Sequence, residues 1–456
     1  MSPNTGAVGE PTHPGAISAP ADSLPDFSDP IERPTRVRYV VLGWLCVATM
    51  IAYIDRGSIS VADSLIRNEL GISKTQMGWA MSAFFITYAL FQFPGAMVDR
   101  RWGSRLAIPF FSVAWSLATA ACGLATGMLV LLPARLAMGG AEAGIFPAAT
   151  AVIGRWFPAS KRASMSGVLA SFMGVGGAVG AALSGMMLGL VSWQWMFLIY
   201  AVPGILWSII FFGYFRETPG DHPGVNEAER KLVESTSVAA TPSKGDGRSM
   251  SWAILKQRAV LGLAAQQFFR ALGSMFYMSW FPTFLQETRG VDVQQSGMLS
   301  SLPHLATMAG SLTGGYLSDY VLARSGSLRL ARQGIAVASM IGCMFCIVLA
   351  SYVSNPLLSV LIFSLGAFAA ALAGPCAYAL TIDLGGRETR QVFSLMNTSG
   401  AIGSIVFPTI APWLLARTGS WSAVVAVFAA THAAAALCWV AFDADRPLTQ
   451  PAREHA

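Results

Sequence analysis

Gly95-Ala-Met-Val-Asp99-Arg100-Arg101-Trp102-Gly103-Ser104-Arg105 ends one long apolar segment in a burst of charge, and Gly315-Tyr-Leu-Ser-Asp319 ends another in the same way. Two further pairs of landmarks echo along the chain. Arg162 and Arg390 each open an apolar segment, 228 residues apart, and Trp193 and Trp421 repeat that offset. An offset shared by separate landmarks reads as an internal duplication. Between the two copies the stretch from Arg216 to Arg258 is polar and carries Pro219, Pro223 and Pro242.

Working outward from these marks, apolar segments cover approximately 37–62, 75–98, 104–124, 127–153, 162–190, 193–214, 256–285, 295–319, 332–352, 357–382, 389–416 and 420–442. Each is about 20 residues or longer, enough for a helix to cross ~30 Å of hydrocarbon at ~1.5 Å per residue. Six lie on each side of the polar stretch. Composition points the same way: of 456 residues, 54% are hydrophobic and only 12% charged, and the mean hydropathy is +0.53. A soluble domain is about 25% charged, so a cytosolic enzyme, a secreted disulfide scaffold and a nucleic-acid binder are all disfavoured. The sequence predicts an all-α membrane protein with twelve transmembrane helices in two pseudo-symmetric six-helix bundles. The expected organisation is a disordered cytoplasmic tail (1–35, with seven of the 24 prolines), a first bundle (36–215), a cytoplasmic linker (216–255), a second bundle (256–443) and a cytoplasmic tail (444–456). The N-terminal stretch lacks the basic start and apolar core of a cleavable signal peptide.

Basic residues set the expected orientation. With the N-terminus in the cytoplasm, cytoplasmic segments hold 23 Lys and Arg, against Arg67, Lys74, Arg289 and Arg417 outside. That bias also accounts for the net charge of +6 without an acidic partner. The six cysteines (Cys46, Cys122, Cys343, Cys346, Cys376, Cys438) all fall in apolar stretches. Cys343-x-x-Cys346 has neither a second pair nor a nearby histidine. All six are therefore read as free, buried thiols, and neither a metal site nor a cofactor is expected.

The remaining charges lie inside the spans: Asp55, Arg56, Arg135, Glu142 and Arg270. A charge at the bilayer centre costs at least ~2.5–3.5 kcal/mol on insertion scales, so each must face a cavity or a partner. Arg135 and Glu142 share one helix face about two turns, or ~10 Å, apart. That is too far for an ordinary direct pair, so each needs a partner from another helix, and Asp55 is the obvious candidate for Arg135. Arg56 and Arg270 come from opposite halves. Guanidinium presents a planar fork suited to carboxylate or phosphate, so the two are candidate anion ligands. Their bland readings are an ion pair of Arg56 with Asp55 and snorkelling of Arg270 to an interface. Gln266 and Gln267, beside Arg270, are further candidates for the cavity. Glycines 174, 176, 177 and 180 form a small-residue face suited to helix contact, and His304, a lone histidine in its span, reads first as a structural residue.

These features resemble the major facilitator superfamily. Gly95-x-x-x-Asp99 followed by Arg100, Gly103 and Arg105 is similar to its loop motif between the second and third spans, with one extra residue between Arg100 and the glycine. Tyr53-Ile-Asp55-Arg56, Arg135-Leu-Ala-Met-Gly-Gly-Ala-Glu142-Ala-Gly-Ile-Phe-Pro147, Trp156-Phe-Pro-Ala-Ser-Lys-Arg162, Gly314-Gly-Tyr-Leu-Ser-Asp319 and Met396-Asn397-Thr-Ser-Gly400-Ala-Ile-Gly403 resemble its anion:cation symporter branch. That branch includes bacterial sugar-acid carriers and vesicular organic-anion carriers. The resemblance implies proton coupling at Asp55 and Glu142 tuned by Arg135, and substrate contact at Tyr53, Tyr88 and Asn397 beside Arg56 and Arg270. It also implies a conformational latch at Asp99, Arg100 and Asp319. Met173 stands where the sugar-acid carriers have glutamine, which points to a less hydroxylated or different substrate.

The expected function is proton-coupled symport of a small organic anion into the cell across the bacterial inner membrane, by a monomer embedded in the bilayer, with sodium as the alternative coupling ion. The rival is an organophosphate/phosphate exchanger, which needs the two arginines but not the two acids; drug antiport suits the arginines poorly. A membrane enzyme or sensor is remote. No H-E-x-x-H, G-x-S-x-G or G-x-x-x-x-G-K-[ST] occurs, and the central loop is small for an output domain.

Overall fold

The computed structural model describes residues 1–3, 6, 33–237, 257–385 and 389–444, and all regular structure among them is helical. The first half comprises α1 (Val37–Leu70), α2 (Lys74–Trp102), α3 (Ser104–Gly123), α4 (Met128–Glu142), α5 (Ile145–Trp156), α6 (Ala159–Leu188) and α7 (Trp193–Tyr214). A short helix α8 (Glu227–Ser237) follows. The second half comprises α9 (Arg258–Met275), α10 (Phe281–Arg289), α11 (Val293–Ser325), α12 (Ile335–Tyr352), α13 (Pro356–Gly385), α14 (Thr389–Thr418) and α15 (Trp421–Val440). With α4–α5 taken as one span and α9–α10 as another, each half supplies six.

Nine stretches among the described residues are long and apolar enough to cross a membrane; α2, bent by 51° next to Pro94, makes a tenth. The remaining two spans, α9–α10 and α11, are as long but more polar. They carry Gln266, Gln267 and Arg270, and a run of Ser, Thr and His304. Lipid meets side chains such as Leu117, Ile209, Phe345 and Leu437, which stand exposed around the bundle. Four of the cysteines are buried as expected, while Cys346 and Cys438 are only half-buried at the helix surface.

Local chemistry explains the breaks. Pro282 has no N–H to give to Met278, and its ring crowds that turn. The span accommodates it as a π-helical turn, Phe276–Trp280, between α9 and α10. Between α4 and α5 the chain breaks at Ala143–Gly144, where a Cβ on Gly144 would lie 2.3 Å from the Phe111 ring. The extra residue in the α2–α3 loop is absorbed by Gly103, whose φ of +79° lies where other residues are strained.

Packing between the halves is lopsided. At the end away from both chain termini, one apolar cluster runs through both halves and joins Met77 and Trp193 to Phe276, Phe284 and Phe407. At the other end each half keeps its own cluster, around Trp156 and Phe211 in the first and around Met340 and Trp439 in the second. The backbones of α6 and α11 meet closely, for a Cβ on Gly297 would sit 2.6 Å from the Gly185 Cα. The small-residue face read from the sequence is used as packing: Gly176 and Gly180 lie on Met50, Tyr53 and Ile54 of α1, and Gly174 and Gly177 on Met308 and His304 of α11.

The beginning of the linker is docked on the first half. Glu229 of α8 is buried and accepts hydrogen bonds from the Val37 and Arg38 amides (3.2 Å each), and from the Arg38 guanidinium at 2.9 Å. A carboxylate thus satisfies orphan N–H groups at the start of α1, where the helix dipole favours negative charge. Arg33 and Thr35, at the end of the expected tail, are tied to Asn226; residues 4–5, 7–32, 238–256 and 445–456 lie outside the described residues. His222 packs edge-on to Trp156 and Tyr214 and accepts a hydrogen bond from the Gly224 amide. Burial, helped by the nearby Arg216 charge, pushes its pKa below the ordinary 6.5. The undocked linker therefore binds a proton at a higher pH than the docked one. Docking should be fully stable above about pH 6.5 and weaken as pH falls toward 5. Hydrogen exchange of residues 219–233 across that range should show protection lost in the native chain and a flatter profile in His222→Gln. A flat native profile would disprove the linkage.

Candidate functional site

Two charges on α1 point to different neighbours. Asp55 and Arg56 are consecutive, so they project about 100° apart around the helix. Asp55 faces α3, where the Trp115 indole donates to its Oδ2 at 3.0 Å. Arg56 faces α4 and grips Glu142, with Nη2 at 2.7 Å and Nε at 3.2 Å from the same oxygen, Oε2. All four groups are buried. The guanidinium carbon lies 4.4 Å from the centroid of Tyr53 and 4.7 Å from those of Phe84 and Tyr88, so three ring faces replace the water that the cation has lost. The other oxygen of each acid, Asp55 Oδ1 and Glu142 Oε1, is buried and has no hydrogen-bond partner among the described residues.

This arrangement corrects one expectation and sets aside one bland reading. Arg135 does not meet Asp55. It lies over the Phe84 ring at 5.1 Å and reaches the Ala80 carbonyl (3.5 Å) and the Met138 sulfur (3.3 Å). Nor does Arg56 pair with its neighbour Asp55. The helical turn between adjacent residues is the reason: α1 aims the acid at α3 and the base at α4. The break after α4 leaves Glu142 at the end of its helix, opposite Arg56.

In the second half Arg270 is half-buried and is held by Gln267, whose Oε1 accepts from Nη2 at 2.8 Å and from Nε at 3.3 Å. Gly374 on α13 and Gly400 on α14 leave room for this pair. Gln266 turns the other way, fully buried, and donates to the Leu263 carbonyl. Asn397 is exposed and bonded to none of the described residues, so the structure does not bring it to the others. Asp99 accepts from Ser104 at 2.6 Å, Arg155 joins Ser104 to Glu217, and Asp319 pairs with Arg332 at 2.8 Å. Each of these ties stays within one half, and Arg100 is exposed. No group of three or more potential metal ligands occurs among the described residues.

A charged seam across the halves escaped the sequence reading. At the end away from the termini, Asp63 of α1 is buried, bound by Arg67 (2.9 and 3.1 Å), and accepts from Thr283 of α10 at 2.7 Å. Ser64 donates to Gln286 at 2.7 Å, and Glu287 takes Lys74 at 2.5 Å and the Trp421 indole at 2.9 Å. The spacing of Asp63 and Arg67 is an ordinary i,i+4 pair, but the apolar segment was ended at residue 62, which left Asp63 outside it. Trp115 and Phe84 carry no signal in the sequence, being aromatics among many in apolar spans.

Duplicated six-helix halves around buried charges define a transporter built for passage through the membrane rather than an enzyme. The chain matches the Major Facilitator Superfamily over residues 45–381 and again over 263–456, and it belongs to that family. It is 30% identical to "Probable sulfoacetate transporter SauU" of Cupriavidus necator over 85% of this chain and 89% of that protein. It is 29% identical to "D-galactonate transporter" of Escherichia coli (87% and 94% covered) and 30% identical to "Probable galactarate/D-glucarate transporter GudP" of Bacillus subtilis (90% and 93%). Among solved structures it shares the fold of a bacterial homologue of the human lysosomal transporter Spinster, with a TM-score of 0.66 at 19% identity, covering 89% and 95% of the two chains.

Two outcomes are expected. Glu142→Ala strands Arg56 without a counter-charge, at a cost of about 3–5 kcal/mol, and the double variant Arg56→Met/Glu142→Ala regains most of it. Equilibrium unfolding in detergent measures both, and a double variant no more stable than the single one would remove the pair from the argument. Cysteines at positions 64 and 286 should be joined by a short bifunctional maleimide, read on a gel. Failure to join would show that this end is not closed.

Proposed function

We propose that the chain is a proton-coupled importer of a small organic anion, working by alternating access of two bundles, 36–215 and 256–443, in a bacterial inner membrane with both termini in the cytoplasm. The names of its relatives support the anion; the excess of Lys and Arg on one side supports the orientation. In that orientation the seam of Asp63, Arg67, Lys74 and Glu287 acts as an outer gate, its contacts between the halves supporting that role.

The observation that carries the coupling is the buried pair of Arg56 and Glu142, in which one carboxylate oxygen is bonded twice and the other not at all. A substrate carboxylate or sulfonate entering the cleft competes with Glu142 for the Arg56 fork. Once displaced, Glu142 is a buried acid without a counter-charge, and binding a proton on an unpartnered oxygen removes that burden. One anion then enters with one proton at this residue. Asp55, with its own unpartnered oxygen, is the second proton site, and Arg135 tunes both by its distance. Arg270, already positioned by Gln267, receives the anion from the second half, with Tyr53 and Tyr88 as walls. Such binding between inverted or duplicated halves is how many secondary transporters work. Asp99, Arg100 and Asp319 act at the other end, as latches for the opposite state. An exchanger would need Arg56 and Arg270 but leaves the two buried acids without a task.

The test is internal pH in proteoliposomes on adding sulfoacetate, galactonate or sugar phosphates outside. Internal acidification with one acid, abolished in Glu142→Gln while substrate binding persists, is the expected result. Phosphate uptake chased by a sugar phosphate, with no acidification, would overturn symport in favour of exchange.

A further inference from the structure

We propose that His304 is a substrate ligand of the second half and selects a hydroxyl group; this rests on the organic-anion reading above. His304 lines a small cleft between the halves, with room for about one water-sized group, together with Tyr53, Gly57 and Ser60 of α1 and Tyr277. Its Nδ1 is 2.9 Å from the Ser300 carbonyl oxygen. A carbonyl has no proton to give, so Nδ1 is the donor and Nε2 of the neutral ring is an acceptor.

The ring is also fixed in place. It packs against Gly177 of α6, where a Cβ would come within 2.7 Å of Cδ2. No described residue bonds Nε2. Of the other polar groups lining the cleft, the Ser60, Ser300 and Tyr277 hydroxyls are committed as donors, while the Tyr53 hydroxyl, on the ring that faces Arg56, keeps a proton to give. Ser60 Oγ donates its proton to the Gly57 carbonyl at 2.8 Å, which leaves its lone pairs for a ligand. The Tyr277 hydroxyl is turned away, donating to the Phe363 carbonyl at 2.9 Å. Around Nε2 this part of the cleft therefore offers acceptors, with the Tyr53 hydroxyl as a neighbouring donor. It suits a hydroxyl that donates, and it does not suit the anionic end of the substrate, which belongs at Arg56 and Arg270. A histidine so held distinguishes a hydroxylated acid from an unsubstituted one of the same length, because an unmet acceptor is costly only when the ligand excludes water from it.

The test uses purified full-length protein in lipid nanodiscs, with binding read by intrinsic tryptophan fluorescence. The probes are galactonate, hexanoate and sulfoacetate. Wild-type protein should prefer galactonate to hexanoate. His304→Ala should cut that preference about tenfold, the scale of one lost hydrogen bond, and His304→Gln, whose amide oxygen reaches the Nε2 position, should regain most of it. An unchanged ratio in His304→Ala, or no recovery in a His304→Gln protein that melts like wild type, overturns the proposal. So does a wild type that binds hexanoate or sulfoacetate but not galactonate, which leaves the organic-anion reading standing. Binding of none of the three overturns both.

Discussion

The buried pair of Arg56 and Glu142 constrains much of the first half. Neither residue is tolerable alone at membrane depth, and neither is fully satisfied by the other. Both guanidinium contacts converge on a single carboxylate oxygen, and the rest of the cation is covered by Tyr53, Phe84 and Tyr88. For the pair to form, α4 must end at Glu142. The break that ends it sits where the Phe111 ring occupies the space of a side chain at Gly144 and where Gly95 of α2 approaches the same backbone. Three helices are thereby fixed around one ion pair whose geometry leaves an oxygen open.

Much of this was legible from the chain. Twelve spans and their duplication followed from segment length and from landmarks such as Trp193 and Trp421. The five charges within spans were visible because charge is rare there. Partner choice was not legible. Arg135 and Asp55 looked complementary because both were unpaired in one dimension, but adjacent residues on α1 face different helices, and that rotation is lost when residues are read as a list. Ring faces can solvate a cation as oxygens do, so Phe84 and Tyr88 completed a site that an inventory of polar residues leaves half built. Gln266 and Gln267 show the same limit: neighbours in sequence, one is buried inside its own half and the other holds Arg270.

The lopsided contact between halves has a simple energetic reading. Where one apolar cluster spans both halves, burial of Phe276, Phe284, Phe407, Met77 and Trp193 favours closure. A polar seam lies in the same region; its rim pair Lys74–Glu287 is partly exposed and can be exchanged for water at modest cost, while Asp63 is buried and keeps Arg67 of its own helix as a partner. At the other end Asp99, Asp319 and Arg332 are each bonded within their own half, as is Arg155 through its Nη2. That end can therefore stand open without stranding a buried charge.

Site and seam are also joined by covalent structure. α1 carries Tyr53, Asp55 and Arg56, and then Asp63 about two turns (~10 Å) and Arg67 about three turns (~16 Å) further on. The seventh span carries Gln267 and Arg270 before its π-helical turn, and Thr283, Gln286 and Glu287 after it. Any anion that changes the partners of Arg56 and Arg270 acts on the same two helices whose other ends close the seam. No chain of side-chain contacts is needed to carry the signal, because a helix that shifts or tilts as a unit must change both ends. The π-turn is the one place along this path where the backbone departs from α geometry. It is bracketed by Phe276, which packs against Phe281, Phe284, Phe407 and Phe428, and by Pro282. The turn is thus held by the apolar cluster that joins the two halves, so loosening that cluster removes the packing around the turn.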